Sequence, residues 1–193
     1  MKRNAICLIL TLVLSLTLNL TACGFGAAKR NSSTSEGPMN TDYVVYEAVF
    51  VNNEQISSIF NEVRGEPPYP KITADYHVTT AFRPEVDARA LYGKEVTVKI
   101  IGYKAGEVTT DDGGTTMNEG FKVELVTDDA ELTDYVVGKA RNYHITGSYV
   151  DQAKYTGYLD FSDATPVDYT VKGTFGAYLS NGRITFTADN VGQ

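Results

Sequence analysis

Beyond residue 42 the apolar positions recur mainly with period two, which predicts a chain built largely of β-strands. The clearest alternation is at 95–103 (EVTVKIIGY), and runs of β-branched and aromatic residues predict further strands. These strands are expected at 43–51, 71–82, 121–126, 143–149, 154–161, 167–179 and 183–187, the last after the Asn181-Gly182 hairpin signal.

A few short stretches have helical spacing instead. Apolar residues at 54–64 follow Asn53, a good helix N-cap, and Gly65 ends that segment. One or two helical turns are predicted at 86–92, and 128–141 is ambiguous. Because the strands of the second half are closely spaced, as in antiparallel meanders, the pattern predicts an α+β class rather than a parallel α/β sheet.

One polar stretch, 111–116 (DDGGTT), separates two of the predicted strands. Its carboxylates lack the alternating ligand spacing and the distal glutamate of a calcium loop. We therefore interpret it as an exposed hairpin loop rather than a metal site.

Residues 1–22 have the pattern of a secretory signal. Lys2 and Arg3 precede an apolar run at 6–20 that is too short and wrongly flanked for a transmembrane helix. The run ends in Leu-Thr-Ala before Cys23, which resembles a bacterial lipobox. We expect Cys23 to be lipidated and to anchor the protein to a bacterial membrane, outside the cytoplasm. An ordinary secretory signal or a retained anchor is the alternative.

The segment 23–41 is Gly/Ser-rich and has no periodicity, so it is predicted to be a flexible tether ahead of a folded domain at 42–193. With Cys7 removed and Cys23 lipidated, the domain has no disulfide. Without the signal at 1–22 the chain has 171 residues, which suffice for one sizeable domain or two tightly associated lobes.

Charge limits the partners of this domain. The formal net charge is −7 and becomes −9 when Lys2 and Arg3 leave with the signal. Non-specific binding of long nucleic acid needs a basic face, so that class of partner is not expected. A small anionic ligand is compatible with this charge where local hydrogen-bond donors meet it.

The only two histidines of the chain stand in matched surroundings. His77 is followed by Thr79 and His144 by Thr146, each pair on a predicted strand and each histidine preceded by tyrosine. Side chains two residues apart leave the same face of a strand, so each copy presents an imidazole beside a hydroxyl. If the copies meet across a cleft, one imidazole can act as base and the other as acid on a phosphodiester. The two threonines would donate hydrogen bonds to its non-bridging oxygens.

Two histidines alone make a poor zinc site, so neither a metal nor a cofactor is predicted unless carboxylates join them. The nearest basic residues, Arg83, Arg141 and Lys154, are either phosphate ligands or solvated surface charges.

Positions just after the threonines depend on strand regularity. Ser148 shares the face of His144 in a regular strand, but a bulge at Gly147 would turn it away. Phe82 and Tyr149 lie on the face opposite their histidines in a regular strand, which predicts core positions for both.

The motifs His77-Val78-Thr79 and His144-Ile145-Thr146 resemble those of the 2H phosphoesterase superfamily, over about 43–187 of the chain. The resemblance implies a bilobal, pseudo-two-fold fold in which antiparallel sheets line a central cleft, with few short helices. It also implies metal-independent hydrolysis of a 2′,3′-cyclic nucleotide or short oligonucleotide. The two histidines would then be catalytic and the two threonines substrate-binding.

Two other functions stay open at this stage. A surface lipoprotein could keep the cleft and bind a nucleotide or another ligand without turnover. A β-rich adhesin or lipocalin-like barrel would have incidental histidines.

We predict that Cys23→Ser abolishes incorporation of an alkyne-labelled fatty acid in a bacterial host, because Cys23 alone follows the lipobox-like residues. The matched control Cys7→Ser should be labelled like the unchanged chain. In-gel fluorescence measures the label, and undiminished labelling of Cys23→Ser would contradict the lipoprotein interpretation.

Overall fold

Eight strands and two α-helices make up the part of the chain that the computed structural model describes, residues 42–137 and 142–191. The strands are β1 (Val44–Val51), β2 (Lys71–Ile72), β3 (His77–Phe82), β4 (Glu95–Thr109), β5 (Thr115–Val126), β6 (His144–Tyr149), β7 (Thr165–Leu179) and β8 (Ile184–Thr185). The helices are α1 (Asn53–Arg64) and α2 (Ala130–Val137), with 3-10 helices at Arg89–Leu91, Ala153–Tyr158, Phe161–Asp163 and Ala188–Asn190.

Several predictions concern residues outside these ranges. The signal at 1–22, the tether at 23–41 with Cys23, and Arg141 are not among the described residues. Within the described ranges, no helix is long and apolar enough to cross a membrane.

All the strands belong to one antiparallel sheet in the order β2-β6-β5-β4-β7-β1-β3, and β8 pairs with β7. The predicted α+β class with few short helices is confirmed, and the strands form one continuous sheet where the family resemblance implied antiparallel sheets on either side of a cleft. The two histidine strands, β3 and β6, stand near opposite ends of this order. They nevertheless approach each other, so the sheet curls until its ends meet.

The main core lies between the sheet and the two helices. Phe60 of α1 stacks on Phe121 of β5 with ring centroids 4.0 Å apart, and both side chains are fully buried. Leu132 of α2 and Phe175 of β7 belong to the same cluster. Burying one such side chain contributes about 1.5–3 kcal/mol, so these contacts hold the helices on the sheet.

The N-cap of helix α1 lies one residue before the predicted one, so Asn53 is the first residue of the helix. Asn52 is the N-cap, and Gly65, with φ 75°, ends the helix as predicted. Since Asn53 is not the cap, its side chain makes another contact: its oxygen accepts the backbone N–H of Tyr76 at 2.8 Å. The start of α1 thereby fixes the chain immediately before His77.

The predicted strand at 154–161 is wrong, since this stretch forms two 3-10 helices. Asn118 of β5 donates hydrogen bonds to the Gln152 carbonyl and to Thr156 Oγ1, both at 3.0 Å. These bonds hold the segment over β5 instead of along a strand. Its apolar side chains fill a second, smaller cluster made of Val108, Tyr155, Leu159 and Phe161.

A buried ion pair joins the end of α1 to β5. Arg64 Nε lies 2.6 Å from Glu119 Oε1, and the two side chains are 6% and 0% exposed. Ser148 Oγ on β6 donates to the other carboxylate oxygen at 2.9 Å. Burial raises the pKa of Glu119, while Ser148 and Arg64 act in the opposite direction. One carboxylate therefore connects α1, β5 and β6.

We predict that Arg64→Met lowers the free energy of unfolding by about 3–5 kcal/mol, because it leaves the Glu119 carboxylate buried without its cation. Urea denaturation measures this loss. The matched control is Lys104→Met, which breaks a 2.6 Å pair with an Asp163 side chain that is 69% exposed. That change should cost less than about 1 kcal/mol, and equal losses in the two variants would refute the structural importance of the buried pair.

Candidate functional site

His77 and His144 line a single cleft with a volume of about 510 Å³. Thr79 and Thr146 lie in the same wall, so all four side chains that the sequence singled out meet here. The remaining lining residues are Tyr46, Thr73, Phe82, Ala153 and Lys154. This volume is within the usual range for small-molecule sites, roughly 300–1,000 Å³.

The two imidazoles are held in the same way. His77 Nδ1 is 2.8 Å from the Asp75 carbonyl oxygen, and His144 Nδ1 is 2.9 Å from the Asn142 carbonyl oxygen. A carbonyl oxygen can only accept a hydrogen bond, so Nδ1 carries the proton in each neutral ring. Nε2 of each ring is then the nitrogen with a lone pair available for chemistry.

Each motif is followed by a β-bulge. Ala48 of β1 pairs with Thr79, but Glu47 pairs with Ala81, so β3 has one extra residue at Thr80. Strand β6 likewise has one residue more than β5 between its paired positions Thr146 and Tyr149. An extra residue inverts the alternation of faces beyond it. The two motifs therefore match in backbone geometry as well as in sequence.

These bulges decide the positions that the sequence left open. Phe82 was predicted to be a core residue, but the inversion at Thr80 turns it into the cleft, where its side chain is 63% exposed. Ser148 is buried and bonded to Glu119, so the bulge alternative holds for β6 and Ser148 does not join the cleft.

Tyr46 is a cleft residue that the sequence analysis missed. Its ring stacks on the His77 imidazole, with centroids 5.0 Å apart and an interplanar angle of 19°. Tyr178 stacks on its other side at 5.0 Å. Burial, followed by the neighbouring Tyr178 and Asp75, raises the pKa of Tyr46 to about 12. The neutral phenol thus fixes the plane of His77. Tyr46 reaches His77 because β1 pairs with β3, and no local pattern in the sequence indicates that pairing.

The His144 ring is packed by backbone rather than by an aromatic ring. A Cβ added to Gly157 would stand 3.2 Å from His144 Cε1, so the 3-10 helix Ala153–Tyr158 passes directly against the imidazole. The two histidines are therefore alike in their hydrogen bonds and different in their packing.

Both imidazoles favour the neutral form in the free protein. Burial lowers the pKa of His77, against a smaller opposing effect of Asp75. Burial also lowers the pKa of His144, the Asn142 carbonyl opposes that shift, and the nearby His77 lowers it further. Since a bound anion favours the charged form of an imidazole, a phosphate in the cleft would raise both pKa values.

The three basic residues named from the sequence differ in their position relative to the cleft. Lys154 lines the cleft, with its ammonium 2.6 Å from Asp111 Oδ2 and 4.6 Å from the Tyr155 ring centroid. Arg83 places its guanidinium 5.5 Å from the centroid of Phe82. Arg141 lies outside the described residues. The 111–116 loop is a hairpin, as predicted, and Asp111 is paired with Lys154.

No group of three or more His, Cys, Asp or Glu side chains within residues 42–137 and 142–191 could hold a metal ion. Scans of protein-family models, characterised proteins and solved structures found no match to the chain.

We predict that both histidines titrate below pH 6.5, the ordinary pKa of the side chain. In the neutral form each ring should carry its proton on Nδ1. Nitrogen-15 NMR of the imidazoles reports both properties, and the chain has only two histidines to assign. The urea-unfolded protein, titrating near pH 6.5, is the control.

The lowered pKa values also set a direction for stability. Between the folded pKa values and about 6.5 the unfolded chain binds more protons than the folded one, so the free energy of unfolding falls as the pH drops through that window. A folded midpoint at or above 6.5 for either histidine would contradict the burial argument.

Proposed function

We propose that this protein is a metal-independent phosphodiesterase of the 2H type, which hydrolyses a 2′,3′-cyclic nucleotide or a short oligonucleotide. The observation that carries this proposal is the matched pair of imidazoles, each with Nδ1 on a backbone carbonyl, in the wall of one cleft. Each of them has a threonine two residues further on in the same wall.

The pair supplies the two proton transfers that hydrolysis needs. A neutral Nε2 takes a proton from water as the water oxygen bonds to phosphorus. A protonated Nε2 on the other ring gives a proton to the ribose oxygen as its bond to phosphorus breaks. Phosphate binding raises the pKa of these rings, so the substrate itself favours the singly protonated pair.

Thr79 and Thr146 stabilise the charge that develops on the non-bridging oxygens. Both side chains are half-buried, and Thr146 Oγ1 has only a long 3.5 Å contact with the Ala153 carbonyl. A hydroxyl so weakly engaged can donate to a phosphate oxygen at little cost. Such preorganised donors contribute most where water is excluded.

The pseudo-two-fold arrangement of a 2H fold is part of this proposal. Helix α1 precedes β3, and helix α2 precedes β6. Both of these strands begin at the histidine, bond its ring to the carbonyl two residues earlier, and bulge after the threonine. This repetition supports two related halves around the cleft, although their strands share one sheet.

Several features favour a nucleotide among phosphoesters. Phe82 presents an exposed ring at the cleft with the Arg83 guanidinium beside it, a combination on which nucleobases stack. The net charge of −7 disfavours long nucleic acid. We also propose that the enzyme works outside the cytoplasm, held to the membrane by lipid on Cys23.

Hydrolysis of 2′,3′-cyclic AMP in the presence of a chelator tests the proposal. We predict turnover with a bell-shaped pH profile, and a loss of about a hundredfold or more in rate for His77→Ala and for His144→Ala. Thermal melting of each variant serves as the folding control. A loss below about tenfold in either variant would contradict acid–base roles. Nucleotide binding in calorimetry with no product would select the non-catalytic lipoprotein instead.

A further inference from the structure

Thr73 sits between the two histidine strands. Its backbone N–H donates to the Gly147 carbonyl in the β6 bulge at 2.9 Å, directly after the short β2–β6 ladder. Four residues later the chain enters β3 at His77. Thr73 is thus tied to one motif through its backbone and leads into the other, and it lines the cleft they share.

The side chain of Thr73 has an unsatisfied polar atom. In the described part of the chain, three buried side-chain polar atoms lack a hydrogen-bond partner: Thr73 Oγ1, Thr116 Oγ1 and Asn118 Oδ1. Only Thr73 among them belongs to the cleft wall. A buried hydroxyl without a partner has lost its hydrogen bonds to water without replacing them, so an acceptor that reaches it would offset that loss.

A change of side-chain rotamer can bring this hydroxyl to a ligand. Threonine has two branches of similar size on Cβ, and rotation between staggered χ1 wells moves the hydroxyl to a new direction while a methyl group takes up comparable space. The backbone bond to Gly147 is unaffected by that rotation. Thr73 can therefore redirect its hydroxyl without rebuilding β2 or β3.

We propose that Thr73 is a third phosphate-binding hydroxyl of the site, an inference that rests on the proposed function. A cyclic phosphodiester has two non-bridging oxygens, and Thr79 and Thr146 can serve both. Ring opening leaves a phosphomonoester with three. Thr73 supplies the donor for the third oxygen, so the cleft binds the phosphomonoester group, or inorganic phosphate as its simplest analogue, with three hydroxyls.

Titration of the full chain, made without a histidine tag, with inorganic phosphate tests this inference independently of catalysis. The two imidazole signals in nitrogen-15 NMR report occupancy of the cleft. Thr73→Val keeps the shape and removes the hydroxyl, and we expect it to weaken phosphate binding about tenfold, the effect of one lost hydrogen bond. Thr116→Val is the matched control, since it removes another buried, unpartnered hydroxyl outside the cleft wall, and should bind phosphate as the unchanged chain does.

The outcomes separate this inference from the proposed function. Equal phosphate affinity in Thr73→Val and the unchanged chain would overturn it, as would the absence of phosphate binding at the imidazoles. Equal weakening in Thr73→Val and Thr116→Val would also overturn it. Selective weakening in Thr73→Val supports the inference even if 2′,3′-cyclic AMP is not hydrolysed, in which case only the proposed reaction fails.

Discussion

The site depends on holding together two strands that are far apart in the sheet order. Strands β3 and β6 stand near opposite ends of an antiparallel sheet, and the curl that brings them together has to be maintained by contacts across the gap. The buried pair of Arg64 and Glu119 contributes to this, because it ties the end of α1 to β5 and, through Ser148, to β6. Gly147 makes room for it, since a Cβ there would lie 2.3 Å from Glu119 Oε1. The β6 bulge and the ion pair are therefore one structural unit beneath the cleft.

Backbone geometry, rather than a network of side chains, sets the orientation and the tautomer of the two histidines. Each ring is oriented by a carbonyl two residues earlier, so the proton on Nδ1 and the lone pair on Nε2 follow from where the strand begins. Packing then fixes each plane, by Tyr46 for His77 and by the Gly157 backbone for His144. Burial favours the neutral form of both rings, which avoids repulsion between two charged imidazoles in one cleft. The same protein groups thus set the orientation and the protonation state of both imidazoles.

Sequence reasoning reached the paired motifs because strand periodicity is local and both histidines begin well-patterned strands. It missed Phe82 because a single extra residue at Thr80 reverses which face follows, and nothing in Thr-Thr-Ala distinguishes a bulge from a regular strand. Gly147 carried such a signal, and the alternative stated for it was right. The error at 154–161 arose because Asn118, distant in sequence, holds that segment in 3-10 helices. Tyr46 and Thr73 reach the cleft only through long-range pairing, which no local pattern encodes.

In the proposed reaction the two imidazoles act on one phosphate. A crystal structure of the protein with a nucleoside 3′-monophosphate, or its 2′ isomer, would test this. We expect phosphate oxygens within hydrogen-bond distance, about 2.6–3.2 Å, of Nε2 on both His77 and His144. A phosphate that contacts only one imidazole, or that binds outside the cleft, would contradict it.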